Sequence, residues 1–225
     1  MYDLVLSSGF LAFARQAGFL KAIEQCEVPV GGIVGTSSGA LAGSLWLSGM
    51  NADQVADELS RDRPLSRCTP HWRPWRGLFT MRGVIERLSQ LMPATFEELG
   101  RPFGVGVMTL DGQHKLITSG PLPQAVAASM AIPRLFEPVV LDGVACADGA
   151  FADRTAHAAW EAHRGGVDTI VHLVESSGKT NPVGALGKRP VVHTPRSGAR
   201  LWSLGDFPGQ LEEARVAAHA VLSRL

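Results

Sequence analysis

The 225-residue sequence lacks three features that would assign it at once: an excess of charge, a membrane-length apolar run and a cysteine pattern. Its 21 basic and 21 acidic side chains cancel, which argues against a dedicated nucleic-acid binder, because such domains carry a basic excess. With 45% hydrophobic residues and no net charge, it also lacks the composition of a disordered chain. No apolar run approaches the roughly 20 residues needed to cross a bilayer. Met1-Tyr2-Asp3 leads straight into Leu4-Val5-Leu6, without the basic start of a signal peptide. Cys26, Cys68 and Cys146 are odd in number and far apart, so neither a disulfide framework nor a paired CxxC metal site is expected. These absences predict a soluble, cytoplasmic protein of a reducing compartment, with no metal and no cofactor. The length suffices for one sizeable α/β core, and a single domain over residues 1–225 is expected.

What is present alternates. Residues 2–7 read as a buried strand, 14–27 as a helix, 32–34 as a second strand, and the small-residue run 40–47 as a helix able to lie close against a sheet. Asn51 is a candidate N-cap for a helix over 52–59. Strand, helix, strand, helix in this order predicts an α/β fold with a mainly parallel central sheet flanked by helices in three layers. A helix near 84–92 follows, and the second half then turns to hairpin strands. Asp111-Gly112 and Asp142-Gly143 lie between strand-like runs and mark the turns. Helices are expected over 123–131, 150–164 and 210–225, a buried strand over 169–174, and loops over 175–209, which are rich in Gly, Pro and Ser.

Residues 61–82 break the regularity, with six arginines against Asp62 and with Trp72, Trp75, Leu78, Phe79 and Met81 interleaved. Arginine and tryptophan in alternation suit an interfacial lid, with rings at headgroup level and guanidinium groups on phosphates. A lid or insert over 61–100 is one reading, with Trp72 and Trp75 as lipid-contacting residues in peripheral contact with a membrane. A solvated loop whose tryptophans pack on the body is the other.

The sharpest feature is Gly35-Thr36-Ser37-Ser38-Gly39, a GxSxG pentapeptide set directly between a strand and a helix. That context makes Ser37 a candidate nucleophile, because a strained strand-to-helix turn lifts a hydroxyl clear of its neighbours. Gly35 and Gly39 are expected to be glycine because side chains there would meet the adjacent strand and helix. The helix N-terminus would also stabilise negative charge at the serine. No lysine follows the glycines, so a Walker-type phosphate loop is disfavoured.

Only one strand precedes this elbow, whereas an α/β-hydrolase would place several before it, followed by its acid and then its histidine. Asp148 is the carboxylate with the right context: it ends the strand-like run 144–147, and Gly149-Ala150 opens a helix where Asp111 and Asp142 open returning strands. Held there among apolar neighbours, it would be desolvated enough to take a proton from Ser37 directly. His157 and His163 fall along a helix and His219 in the terminal one. His193, in the loop-rich stretch, stays open as a late third member.

Taken together these residues resemble the patatin-like phospholipase family over most of residues 3–156. The match runs through Leu4-Val5-Leu6-Ser7-Ser8-Gly9, Ala17-Gly18-Phe19-Leu20-Lys21-Ala22-Ile23-Glu24, the elbow at Ser37, Met108-Thr109-Leu110-Asp111-Gly112, and Ala128-Ser129-Met130-Ala131-Ile132-Pro133 with Phe136 and Pro138. It ends at Ala147-Asp148-Gly149-Ala150. The resemblance implies a Ser-Asp dyad of Ser37 and Asp148 acting without histidine, and an oxyanion hole after the first strand. That loop departs from the family's glycine-rich form: it reads Ser8-Gly9-Phe10-Leu11-Ala12-Phe13, with Ala12 where the family carries arginine. The amides of Gly9 and Phe10 are the candidate donors, and a requirement for positive φ at Phe10 would obstruct the second. Two functions follow as expectations: hydrolysis of a lipid or carboxylic ester, or a weakly active relative that binds acyl chains or membrane surfaces.

Overall fold

The structure, a computed structural model, describes residues 1–176 and 186–225. Strand β1 (Tyr2–Leu6) leads through helix α1 (Phe13–Gln25) to β2 (Val30–Thr36), followed by α2 (Ser38–Leu47) and α3 (Ala52–Arg61). The irregular segment holds two short antiparallel strands, β3 (Thr69–Pro70) and β4 (Phe79–Thr80), and ends at α4 (Arg82–Leu91). Then come β5 (Phe103–Thr109), β6 (His114–Ile117), α5 (Leu122–Met130), β7 (Val139–Leu141) and β8 (Val144–Asp148). Helix α6 (His157–Arg164), β9 (Thr169–Val174), β10 (Val191–Thr194) and α7 (Phe207–Leu222) complete the order.

One sheet carries the fold, in the order β10-β9-β1-β2-β5-β8-β7 with β6 also paired to β5. From β10 to β5 the pairing is parallel; β6, β7 and β8 are antiparallel. Strand residues alternate between two cores, as a period of two requires. Leu4, Leu6, Ile33, Phe103, Val105 and Val107 join the larger core beneath α1 to α5 and α7, whereas Val5, Val34, Val171 and Leu173 join a smaller one closed by Trp160 of α6. The expected α/β architecture, a mainly parallel sheet flanked by helices, is what the chain adopts.

The register explains how two distant segments meet. Strand β6 occupies one edge of β5 over Val105 to Met108. Strand β2, paired with Phe103 to Gly106, and β8, paired with Val107 to Thr109, must therefore share the other edge. They run towards each other and end at adjacent positions, Thr36 opposite Gly106 and Asp148 opposite Val107.

Local signals mostly act as expected. Asn51 and Gln54 form a reciprocal capping box at the start of α3. Asp142 and Gly143 both take positive φ between β7 and β8, as a tight primed hairpin turn needs. Two expectations are corrected. The helix over 150–164 is confined to α6, because the Asp153 carboxylate accepts the Thr155 amide and hydroxyl, and Ala156 turns left-handed at φ 53°. The loop-rich stretch 175–209 contains β10, whose apolar, β-branched run pairs with β9, and α7 starts three residues early at a cap where Asp206 accepts the Gly209 amide. Residues 177–185 of that stretch lie outside the described residues.

Candidate active site

Ser37 is the single residue between β2 and α2, and its backbone sits at φ 54°, ψ −118°. Such a conformation costs a residue with a Cβ about 1–3 kcal/mol, so its surroundings must impose it. They do so by close approach: a side chain at 35 would stand 2.5 Å from the Ala40 nitrogen, and one at 39 would stand 2.2 Å from the Leu6 carbonyl oxygen. The two glycines let strand, turn and helix close on one another. The Ser37 N–H donates to Ser129 Oγ (2.8 Å), and the Ser129 hydroxyl donates to the Gly106 carbonyl (2.6 Å), so α5 braces the turn against β5.

The head-on approach of β2 and β8 brings Asp148 to this turn. The Ser37 hydroxyl donates to Asp148 Oδ2 at 2.8 Å, while Oδ1 accepts the Ala150 amide at 2.9 Å. Asp148 is 3% exposed. Burial pushes its carboxyl up from 3.8 to about 7, against the opposing pull of the Ala150 and Ser37 hydrogen bonds.

Both side chains line a cavity of about 480 Å³, walled largely by apolar residues that include Leu65, Met81, Val84, Met130 and Phe136. No histidine is among its described lining residues. His193 lies exposed on β10, and Asp111 and Asp142 occupy hairpin turns. Two histidines are buried, His157 at the start of α6 and His172 on β9, and His172 is pushed down to about 3 by burial and by Arg15 and His193. Being neutral, it holds its proton on Nδ1, which donates to Gln16 Oε1 (2.8 Å), and its Nε2 accepts the Thr194 hydroxyl (3.0 Å).

Gly9 and Phe10 line the same cavity. Their turn is closed by the Ala12 amide on the Gly9 carbonyl (3.2 Å), and its positive φ, 48°, falls on Leu11, not on Phe10. Neither the Gly9 nor the Phe10 N–H has a hydrogen-bond partner among the described residues. The preceding Ser7 carbonyl accepts Gln16 Nε2 at 2.7 Å, so the network around His172 anchors the base of this loop. Trp72 and Trp75 are 74% and 78% exposed and do not line the cavity; Pro64, Leu65, Cys68 and Met81 of the same region do.

Two residues of this site went unread in the sequence. Ser129 is a lone hydroxyl on an otherwise apolar stretch of α5, a signal that a buried donor is needed there. Arg154 also lines the cavity, is almost fully buried, and had no local signal to mark it.

Comparison with known proteins adds the following. The family model described as Patatin-like phospholipase matches residues 4–160. An uncharacterised NTE family protein of Mycobacterium tuberculosis is 27% identical over 154 residues, covering 67% of this chain and 42% of that protein. The neuropathy target esterase sws of Drosophila melanogaster is 27% identical over 162 residues, covering 67% of this chain and 11% of that protein. The chain thus spans less than half the length of these curated relatives. Among solved structures, VipD from Legionella pneumophila aligns with 99% of this chain and 66% of its own at a TM-score of 0.59 and 12% identity. Full-length ExoU from the type III secretion system of Pseudomonas aeruginosa aligns with 100% of this chain and 52% of its own at 0.51 and 14%. At these identities the solved structures speak to the fold alone.

Proposed function

The chain belongs to the patatin-like phospholipase family, and on that premise we propose that it is a serine acyl hydrolase of lipid or carboxylic esters, of phospholipase A, lysophospholipase or esterase type. The observation that carries this reading is the 2.8 Å hydrogen bond from the Ser37 hydroxyl to the buried Asp148 carboxylate. A carboxylate whose pKa is raised to about 7 is a far better proton acceptor than an ordinary aspartate, while still half ionised near neutrality.

In the first step Ser37 Oγ attacks the ester carbonyl and its proton passes to Asp148. The tetrahedral oxyanion sits against the Gly9 and Phe10 amides and the N-terminus of α2. Collapse breaks the ester C–O bond, the leaving alkoxide takes the proton from Asp148, and the acyl group stays on Ser37. Water then attacks the acyl carbon, gives its proton to Asp148, and the returning proton restores the Ser37 hydroxyl as the fatty acid leaves. The apolar cavity beside Ser37 suits the acyl chain. We assign all 225 residues to one hydrolase domain, with Trp72 and Trp75 offered to a lipid surface.

Labelling with a fluorophosphonate and hydrolysis of short acyl p-nitrophenyl esters test the reading together. The parent should be tagged at Ser37 and turn over, and Ser37→Ala should lose both, by about 1,000-fold or more in kcat. A parent that binds acyl chains without being labelled would instead be the weakly active binder, and Ser37→Ala hydrolysing as fast as the parent would remove Ser37 as nucleophile.

A further inference from the structure

Arg154 presents an unusual combination. It is 7% exposed, yet no carboxylate among the described residues lies within ion-pair distance of it. Burying a guanidinium with neutral partners alone is costly, so the site that retains it gains something other than a salt bridge. Its partners show what. Nη2 donates to the Ser8 carbonyl (3.0 Å) and the Val174 carbonyl (2.6 Å), and Nε donates to Ser8 Oγ (3.3 Å). The Arg154 carbonyl in turn accepts the Ser8 N–H at 2.8 Å. Every polar group of Ser8 is therefore bound to Arg154, which spans the C-terminal ends of the neighbouring strands β1 and β9.

The consequence passes to Gly9 through covalent geometry. The Ser8 carbonyl and the Gly9 N–H belong to one planar trans peptide and point in opposite directions. Clamping the carbonyl fixes the N–H, and this N–H has no partner among the described residues. Gly9 and Arg154 line one cavity with Ser37 and Asp148. Nη2 holds both carbonyls while Nε, fixed in the same plane, reaches the Ser8 hydroxyl, and a lysine offers a point charge without this fork.

We propose that Arg154 is the positioning residue of the oxyanion loop: by clamping Ser8 it orients the Gly9 amide towards the oxyanion formed at Ser37, and it adds a buried positive charge beside it. The inference rests on the hydrolase reading above. It concerns a group that the loop itself does not supply, since Ala12 stands where the family carries arginine.

The test compares the parent with Arg154→Lys, Arg154→Gln and Arg154→Ala on a neutral p-nitrophenyl ester, with thermal melting in parallel and with N-ethylguanidinium added to the alanine variant. Loss of one oriented oxyanion donor predicts a fall in kcat of about 100-fold for the alanine variant, with KM within about twofold of the parent. The lysine variant, folded and charged, should recover no more than about a tenth of the parent kcat, and added guanidinium should restore activity to the alanine variant. If the alanine variant melts below the assay temperature, the lysine and glutamine variants decide. Parental kcat in the folded lysine variant would overturn the proposal, as would a loss confined to KM for anionic esters, which would make Arg154 a receptor for the substrate's charge. A parent that neither hydrolyses nor takes the fluorophosphonate would overturn the hydrolase reading and this proposal with it; a labelled parent with unaffected variants overturns this one alone.

Discussion

In the proposed mechanism Asp148 ties the chemistry of the site to its stability, because the burial that would make it a base also penalises its charge. Its folded pKa, about 7, lies above the 3.8 of an unperturbed aspartate. Between those values the unfolded chain has released the proton that the folded chain still holds, so stability falls as pH rises through this window and levels off above it. The proposed activity runs the other way, since in that mechanism only the carboxylate accepts the Ser37 proton: kcat/KM should climb with pH to a plateau, with its acid limb centred near 7. Asp148→Asn keeps the acceptor oxygen for the Ala150 amide and carries no charge at any pH. It should be nearly inactive, and its stability relative to the parent should rise between pH 5 and pH 8 by roughly 2–3 kcal/mol, the part of the shift that falls within that interval. Chemical unfolding of both proteins at the two pH values measures this, and a stability gap that does not change with pH would deny that burial sets the carboxyl. Both residues of this pair were legible in the sequence, Ser37 as the centre of a GxSxG turn between strand and helix and Asp148 as the end of a strand at a glycine where no hairpin follows. Arg154 was not, because its contacts depend on β1 and β9 lying side by side, which nothing near residue 154 encodes.

The elements were readable where a local rule and the tertiary structure agree. The capping box of α3, the primed turn at Asp142-Gly143 and the glycines of the elbow each answer to chemistry within a few residues. Residues 152–156 were misread as helix because the Asp153 side chain competes for the local amides, and β10 was missed because glycines and prolines around it suggested loops. The segment from 61 to 82 is a mixed case. Its six arginines are largely answered by carboxylates: Arg61 by Glu58, Arg67 by Asp62, Arg76 by Glu137 and Arg82 by Glu86. The local positive surplus is therefore smaller than the sequence suggests, and these exposed pairs add little stability. Arg73 instead stacks on Trp72 at 3.9 Å, which leaves an exposed ring and its cation together, with Trp75 also exposed three residues on. On the proposed lipid-surface role, contact would be made through these rings. Replacing Trp72 and Trp75 by alanine should weaken flotation with anionic vesicles by about tenfold, as loss of two interfacial rings predicts, and leave hydrolysis of a soluble ester within about twofold. Unchanged flotation would reduce the segment to a wall of the cavity.

For the molecule as a whole, the sheet is covered unequally. Six helices build the core on one face, whereas the other face depends on α6 and above all on Trp160, which is 1% exposed. The sheet makes room for that ring with glycine: a side chain at 104 would stand 2.7 Å from it and one at 32 would stand 3.1 Å away. The indole N–H donates to Asp3 Oδ2 at 3.0 Å, an oxygen that Arg164 of the same helix also binds at 2.8 Å. One helix thus supplies the large apolar side chain of the smaller core and both partners of a carboxylate buried at the first strand. Because Gly32 and Gly104 have no side chains to move into the space, Trp160→Ala should leave an uncollapsed cavity and lower stability by about 3–5 kcal/mol. Trp160→Phe should lose less, about 1–3 kcal/mol, since it keeps most of the ring volume and gives up chiefly the hydrogen bond to Asp3. Guanidinium unfolding of the three proteins checks the order. A loss below about 1 kcal/mol in the alanine variant would mean that the second face contributes little to holding the sheet, because a filled core position should cost more.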